Sequence, residues 1–144
     1  MRLAALLAVV VLAFVVAACD NSDGGGSATA PTPAAATITE TFTGTLAPQT
    51  LNPHNFTVAV NGTVVITLTA VGPPATITVG LGLGVPSGGT CSLSLGSGTF
   101  GSTQASATPQ INFTGVPAAT FCVAIYDVGN LSNPVDYSIT VAHS

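Results

Sequence analysis

The sequence predicts an all-β domain, an antiparallel β-sandwich of about eight short strands in residues 38–144. From Thr37 onward, apolar and polar residues alternate with period two and are rich in Val, Ile, Thr and Phe. No window carries the 3.6-residue apolar stripe of an amphipathic helix. Glycine, proline and asparagine interrupt the alternation at short, regular intervals, which is typical of β-sandwiches.

The first half of this region predicts four strands. The first covers Ile38–Leu46, and the second includes Phe56 and Val58. Asn61-Gly62 follows and predicts a two-residue hairpin turn, because both residue types tolerate positive φ. The return strand runs from Val64 to Ala70 and ends at Gly72-Pro73-Pro74. In the fourth strand, Ile77 to Leu83, two outward glycines indicate a bend or a close backbone neighbour.

The second half predicts shorter strands. These are Cys91 to Leu95, a small edge strand Ala105 to Thr108, and Gln110 to Gly115. Thr120 to Tyr126 and Val135 to Ala142 complete the domain. Five aromatic residues fall on alternating inward positions and are predicted core members: Phe42, Phe56, Phe113, Phe121 and Tyr137. Phe100 lies in a turn-rich stretch, where we expect a loop anchor; an exposed contact residue is the alternative.

Residues 1–18 have the pattern of an export signal that ends directly before Cys19. Arg2 supplies a positive start, Leu3 to Val16 is an uninterrupted apolar run, and Val16-Ala17-Ala18-Cys19 closes it with small residues and a thiol. The run is shorter than the roughly 20 apolar residues of a spanning helix. The pattern resembles the bacterial lipobox, which implies cleavage before Cys19 and its fatty acylation (palmitate). The alternative is cleavage without lipid, which leaves a secreted domain.

Residues 19–37 predict a flexible tether, because they are rich in Gly, Ser, Ala and Pro and lack apolar periodicity. Acyl chains on Cys19 would anchor the domain stably, at about 0.8 kcal/mol for each buried CH₂ group. We therefore expect an exported protein, lipid-anchored to the bacterial cell envelope. Asp20 resembles the retention signal of inner-membrane lipoproteins in enterobacteria, but the membrane and leaflet stay open.

Charge excludes one large class of partners. The chain has five acidic residues, and its one basic residue, Arg2, lies in the signal. A mature chain without Lys or Arg cannot neutralise phosphates, so we expect no nucleic-acid binding and no polybasic membrane contact. We also expect no side-chain ion pairs in the fold.

Cys91 and Cys122 remain once Cys19 carries lipid, and export to an oxidising compartment favours a disulfide between them. Such a bridge would close a loop of about 31 residues, a constraint worth on the order of 3.5 kcal/mol. Two free thiols, or half of a zinc site, are the alternatives. Zinc would need two more ligands, and His54 and His143 show no clustered spacing.

The strand sequence Phe56-Thr57-Val58, followed by Gly62 to Leu68 and a terminal Tyr137-Ser-Ile-Thr-Val141, resembles the bacterial pre-peptidase C-terminal domain. The resemblance spans residues 40–142 and implies a jelly-roll-like β-sandwich. It also implies a role in binding, secretion or solubility rather than catalysis. That family is usually appended to secreted proteases, and no protease domain accompanies the module here. Calcium-binding relatives use acidic residues near the N-terminal end, where this chain offers only Glu40.

The sequence indicates neither an enzyme nor a cofactor. His54 and His143 lack an acid at a meaningful spacing and are expected to be exposed near strand ends. No serine occupies a strand-to-helix elbow, and Gly80-Leu-Gly82-Leu-Gly84 is not followed by a phosphate-binding helix.

One loop contains candidate calcium ligands. If Tyr126 and Tyr137 pair across a hairpin, two carboxylates face each other at its neck, beside two amide oxygens; the candidates are Asp127, Asn130, Asn133 and Asp136. The alternative, which we favour, is that these side chains bind turn amides.

These observations favour a non-catalytic lipoprotein that presents its β-sandwich for structural or protein-interaction roles at the envelope. The alternative is a peptide- or polysaccharide-binding module that uses loops at one end of the sandwich, such as 97–103 or 129–134. An envelope protein or a polysaccharide is the expected class of partner, besides the membrane itself.

Overall fold

Nine antiparallel strands form two sheets in this computed structural model, which describes residues 36–96 and 98–144. The expectations for residues 1–35, Cys19 among them, and for Ser97 therefore lie outside the described residues. The strands are β1 (Ile38–Leu46), β2 (Leu51–Val58), β3 (Gly62–Gly72), β4 (Val79–Ser87), β5 (Thr90–Ser92), β6 (Phe100–Thr103), β7 (Ile111–Val116), β8 (Ala119–Tyr126) and β9 (Val135–His143). None of the described residues forms an apolar helix long enough to cross a membrane.

The two sheets have the strand order of a jelly roll. Sheet A is ordered β1-β9-β3-β7, and sheet B is ordered β2-β8-β4, with β5 and β6 both pairing with β4. The chain alternates between the sheets from β1 to β4, and again from β7 to β9. This confirms the predicted all-β, jelly-roll-like sandwich. Of the nine strands, β6 at residues 100–103 was not predicted, and it pairs with the edge of β4.

The core forms where the inward faces of the two sheets meet. Alternate residues of β9 are almost completely buried, while the residues between them are partly exposed. The same period of two operates in β8, where Phe121, Val123 and Ile125 face the core. Of the five predicted core aromatics, Phe56, Phe121 and Tyr137 are buried, and Phe42 and Phe113 pack against the core from its margin. The alternation therefore predicted the buried face correctly.

The predicted hairpin at Asn61-Gly62 is wrong. β2 pairs with β8 in sheet B, whereas β3 pairs with β7 and β9 in sheet A. Val58 and Val64 both enter the core, but from opposite sheets. Alternation requires only that one face of each strand be buried, and crossing to the other sheet satisfies this as well as a hairpin does. The Asn61 side chain instead accepts a hydrogen bond from the Ala118 N–H at 2.9 Å.

Two local expectations in the second half also differ. Residues 105–108 form a loop rather than an edge strand, although the Ser106 N–H still donates to the Leu68 carbonyl at 2.9 Å. The predicted strand from Cys91 to Leu95 is shortened to three residues, β5. Short segments at a sheet edge depend on a single neighbouring strand, which propensity does not specify.

A covalently held segment covers the outer face of sheet B. Residues 88–96, which we call the strap, fold back so that Cys91 forms the predicted disulfide with Cys122, whose Cα lies 5.9 Å away. With Ala124 and the neighbouring Leu93, the two cysteines make a small apolar cluster separate from the main core.

Three buried glycines make this approach possible. Gly80, Gly82 and Gly84 point their hydrogens outward from β4, because Val79, Leu81 and Leu83 occupy the core face. A Cβ on Gly82 would lie 2.8 Å from the Leu93 side chain, and one on Gly84 would collide with the Ser92 carbonyl of the strap. At Gly80 and Gly82 the close neighbours are side chains, those of Tyr126, Leu93 and Phe100, rather than the expected backbone; only Gly84 meets backbone.

Candidate functional site

An open groove lies beside Tyr126, where the outer face of sheet B meets the loops at one end of the sandwich. Its volume is about 470 Å³. It is lined by residues from the β1–β2 turn, the strap and the start of the β8–β9 loop: Gln49, Thr50, Leu51, Leu93, Tyr126, Asp127 and Gly129. Apolar side chains form its floor and polar groups its rim, which is the usual composition of a ligand site.

Tyr126 owes its position to two cross-strand neighbours. It is paired with Leu51 of β2 on one side and with Gly80 of β4 on the other. Directly paired residues point to the same face of a sheet, so Leu51 and Tyr126 lie side by side on the outer face. The Tyr126 ring occupies the space that a Gly80 side chain would fill. The glycine thus determines where the ring lies.

A hydrogen-bonded carboxylate makes the rim of the groove rigid. Asp127 Oδ1 accepts from the N–H groups of Gly129, Asn130 and Leu131 at 2.8, 3.1 and 3.2 Å. Its Oδ2 accepts from the Gln49 N–H at 2.8 Å, which ties the β8–β9 loop to the β1–β2 turn. The Gln49 N–H, followed by the three loop amides, holds the pKa of Asp127 below its ordinary value.

Phe100 extends the apolar surface across the sheet. The expectation of a loop anchor is wrong, because Phe100 begins β6 opposite Gly82 and its side chain is 52% exposed. Its Cβ lies 3.0 Å from the Cβ position of Gly82, beside Leu93. A second groove, of about 330 Å³, adjoins it and includes Ser102 and Gln110. We call Leu51, Tyr126, Leu93 and Phe100 together the outer-face stripe.

His54 lies inside the margin of the sandwich rather than at its surface. Its Nε2 is 2.7 Å from the Tyr137 hydroxyl, and its ring stacks on Phe42 at a centroid distance of 4.9 Å. Asn52 donates to the same hydroxyl at 3.3 Å. Burial lowers the pKa of His54. These contacts join the two sheets and give the imidazole a packing role.

The expectation that His143 is exposed is wrong, since it is 2% exposed. Its Nε2 lies 2.9 Å from Glu40 Oε1. The contact joins an imidazole and a carboxylate, and the expectation of a fold without side-chain ion pairs stays a prediction at this position. β1 and β9 are adjacent in sheet A although 103 residues separate the partners, so no local spacing could have indicated the contact.

The hairpin behind the calcium hypothesis is not formed. Tyr126 lies in sheet B and Tyr137 in sheet A, so Asp127 and Asp136 do not face each other across a ladder. Asp136 accepts from the Thr45 hydroxyl at 2.7 Å, and the Asn130 amide donates to the Thr78 carbonyl at 3.0 Å. Among the described residues, no three His, Cys, Asp or Glu side chains are grouped as metal ligands. Calcium binding by Asp127, Asn130, Asn133 and Asp136 stays a prediction for titration.

No protein-family model matches the chain, and no curated protein matches it. The resemblance to the pre-peptidase C-terminal domain accordingly stays a prediction, as does the lipobox.

Proposed function

We propose that the protein is a non-catalytic lipoprotein of the bacterial cell envelope whose β-sandwich serves as an interaction module. One observation carries the proposal: the outer-face stripe and its groove leave apolar side chains exposed on a braced sheet face. Contiguous exposed apolar patches on a protein surface often mark binding sites. The disulfide is consistent with export, because such bonds persist in oxidising compartments.

The polar side chains support a role without catalysis. Asp127 and Asp136 each line a groove, and no histidine lines either one. His54 contacts Tyr137, and His143 contacts Glu40, within the folded sandwich. A general base needs an accessible proton-transfer path to a bound substrate. Neither His54 nor His143 lines the groove of Asp127 or that of Asp136.

Anchoring is tested on the full chain expressed with its own leader. Intact-mass analysis should find that residues 1–18 are absent and that acyl chains are attached at Cys19. The matched variant Cys19→Ser should lose both the acyl mass and the partition into detergent. A full-length product, or an unmodified thiol at position 19, contradicts the anchoring proposal.

Interaction is tested by photo-crosslinking in the native envelope. A photoreactive residue at position 51, in the groove, should capture one defined partner, whereas one at Val60, which is exposed but does not line the groove, should not. Equal capture from both positions would show that the stripe is not the contact surface.

The alternative function, a ligand-binding module, is favoured by one specific feature. The groove lies where the β1–β2 turn and the β8–β9 loop meet at one end of the sandwich, and Gly129 of the expected 129–134 loop lines it. A small apolar groove with a polar rim fits a ligand better than it fits a flat protein surface.

A further inference from the structure

We propose that the outer-face stripe is a binding site for a neutral saccharide chain. The proposal rests on the interaction function above and names the class of ligand. Four observations carry it: the placement of the two aromatic rings, the backbone beneath them, the charge around them and the polar rim.

An exposed aromatic side chain, Phe100, and a half-buried one, Tyr126, lie on the same face of sheet B. Tyr126 pairs with Gly80, and Gly80 pairs with Ser102, two residues from Phe100. The strand spacing and residue rise of a sheet place the Cα atoms of Tyr126 and Phe100 roughly 12 Å apart. Leu93 lies between them over Gly82. The apolar C–H faces of successive sugar rings pack on such a row of rings and aliphatic groups.

The backbone below the stripe favours a saccharide over an extended peptide. β4 pairs with β8 on one side and with β6 on the other, so the peptide groups beneath the stripe are already hydrogen-bonded within the sheet. A peptide laid across this face would leave its own N–H and C=O groups unpaired, which is costly when they are buried. A sugar ring turns its hydroxyls outward and buries mainly C–H groups.

The charge of the site selects a neutral chain. The described residues include no Lys or Arg, and the only formal charge that lines the groove is Asp127. Its oxygens are already occupied by four backbone N–H groups. An acidic saccharide would meet a negative charge without a cation to pair with it. A neutral chain has no such penalty.

The rim supplies polar partners for hydroxyl groups. Gln49 and Thr50 lie at one end of the stripe, and Ser102, which pairs with Gly80, lies on the same face near Phe100. Amide and hydroxyl side chains can both donate and accept, which suits sugar hydroxyls in any orientation. Tyr126, which also lines the groove, carries a further hydroxyl that can donate.

The test is calorimetric titration of the full chain with three neutral hexasaccharides, cellohexaose, laminarihexaose and mannohexaose. The anionic hexagalacturonate serves as the charge control. At least one neutral probe should bind, and hexagalacturonate should not. Tyr126→Leu should weaken binding by at least about tenfold, whereas Tyr126→Phe, which keeps the ring, should change it by less than about threefold.

Two further variants separate the site from the fold. Leu51→Ser should weaken binding without unfolding, since Leu51 is already exposed, and Val128→Ala is the matched control. Val128 is equally exposed on the adjoining loop but does not line the groove. The proposal is overturned if no neutral probe binds, if hexagalacturonate binds as well, or if Val128→Ala weakens binding as much as Leu51→Ser.

The outcomes also distinguish this proposal from the function on which it rests. Capture of one defined protein through position 51, without saccharide binding, overturns the saccharide site and leaves the interaction module standing. Absence of both a partner and a saccharide at the stripe overturns both proposals.

Discussion

Individual glycines decide what can lie on the outer face of sheet B. A single methyl group at Gly84 would meet the Ser92 carbonyl, and the Cys91 sulfur would lie 2.9 Å away. The disulfide fixes both of these neighbours, so the strap cannot move aside without breaking its own packing. We call Gly80, Gly82 and Gly84 the glycine row. Their lack of side chains allows Tyr126 and the strap to pack on this face.

Gly84→Ala should lower the free energy of unfolding by about 1–3 kcal/mol, the usual cost of inserting a methyl group into a packed region. Gly101→Ala is the control, because a Cβ at that position meets nothing within 4 Å. It should change stability by less than about 0.5 kcal/mol. Urea denaturation of both variants measures the difference. Equal unfolding free energies for the two variants would show that the strap can shift to accommodate a methyl group at position 84.

Asp127 is the one carboxylate at the groove, and its environment gives its contribution to stability a definite pH dependence. The Gln49 and loop amides depress its folded pKa below the ordinary 3.8, so the ionised form stabilises the fold at neutral pH. The contribution is lost as the pH falls through the folded pKa. Asp127→Asn should thus be less stable than wild type at neutral pH, and the difference should shrink only as the pH falls below 3.8 and through the lowered folded pKa. Thermal melts of both proteins across this pH range measure the difference in Tm. A difference that stays constant with pH contradicts the prediction.

The strap is the element whose placement the disulfide controls. Cys91 and Cys122 are buried, and Leu93, two residues from Cys91, also lines the groove beside Tyr126. Loss of the bond would therefore release one wall of the groove, as well as the constraint on the unfolded chain.

The double variant Cys91→Ala/Cys122→Ala should lose on the order of 3.5 kcal/mol of unfolding free energy. Hydrogen exchange should accelerate first in the strap amides, residues 88–96, before the β9 amides of the core change. Reduced wild type is the matched comparison and should behave similarly. Unchanged exchange in the strap would mean that its packing on the glycine row holds it without the covalent bond.

The elements also show how far local sequence information reaches. β1 begins and ends at the predicted residues, and the buried face of β9 is the predicted one. β6 was missed because Gly98, Gly101 and nearby serines indicate a turn, yet pairing with β4 makes the segment a strand. A neighbouring strand thus overrides weak local propensity.

At the scale of the whole molecule, the fold is stabilised almost without charge. The acidic side chains of the described residues are Glu40, Asp127 and Asp136, and Glu40 lies beside His143. Burial of apolar side chains between the sheets therefore contributes most of the stability. Because few charges are present, screening by salt should change the stability little.

Raising sodium chloride from about 0.05 to 0.5 M should shift Tm by less than about 2 °C, because few exposed charges are available for screening. Sodium sulfate, which strengthens apolar burial, should raise Tm clearly and serves as the positive control. A large decrease in Tm in sodium chloride would reveal an ion pair essential to the fold. Glu40–His143 would be the first candidate.

Local sequence patterns predicted the fold class, the inward face of most strands and the disulfide partners. Each follows from local information: period-two alternation, residue type and the compartment that an export signal implies. The lipid anchor proposed at Cys19 rests on the sequence pattern and is tested by the mass measurement.

The pairing of the strands and the contacts between distant side chains became visible in the folded structure. It placed β2 and β3 in different sheets and brought Glu40 to His143. It also gathered Leu51, Tyr126, Leu93 and Phe100 on one face. The physical reason is that alternation specifies a buried face but not a partner strand. Partner choice depends on packing between segments far apart in the chain, and both the groove and its proposed ligand depend on that choice.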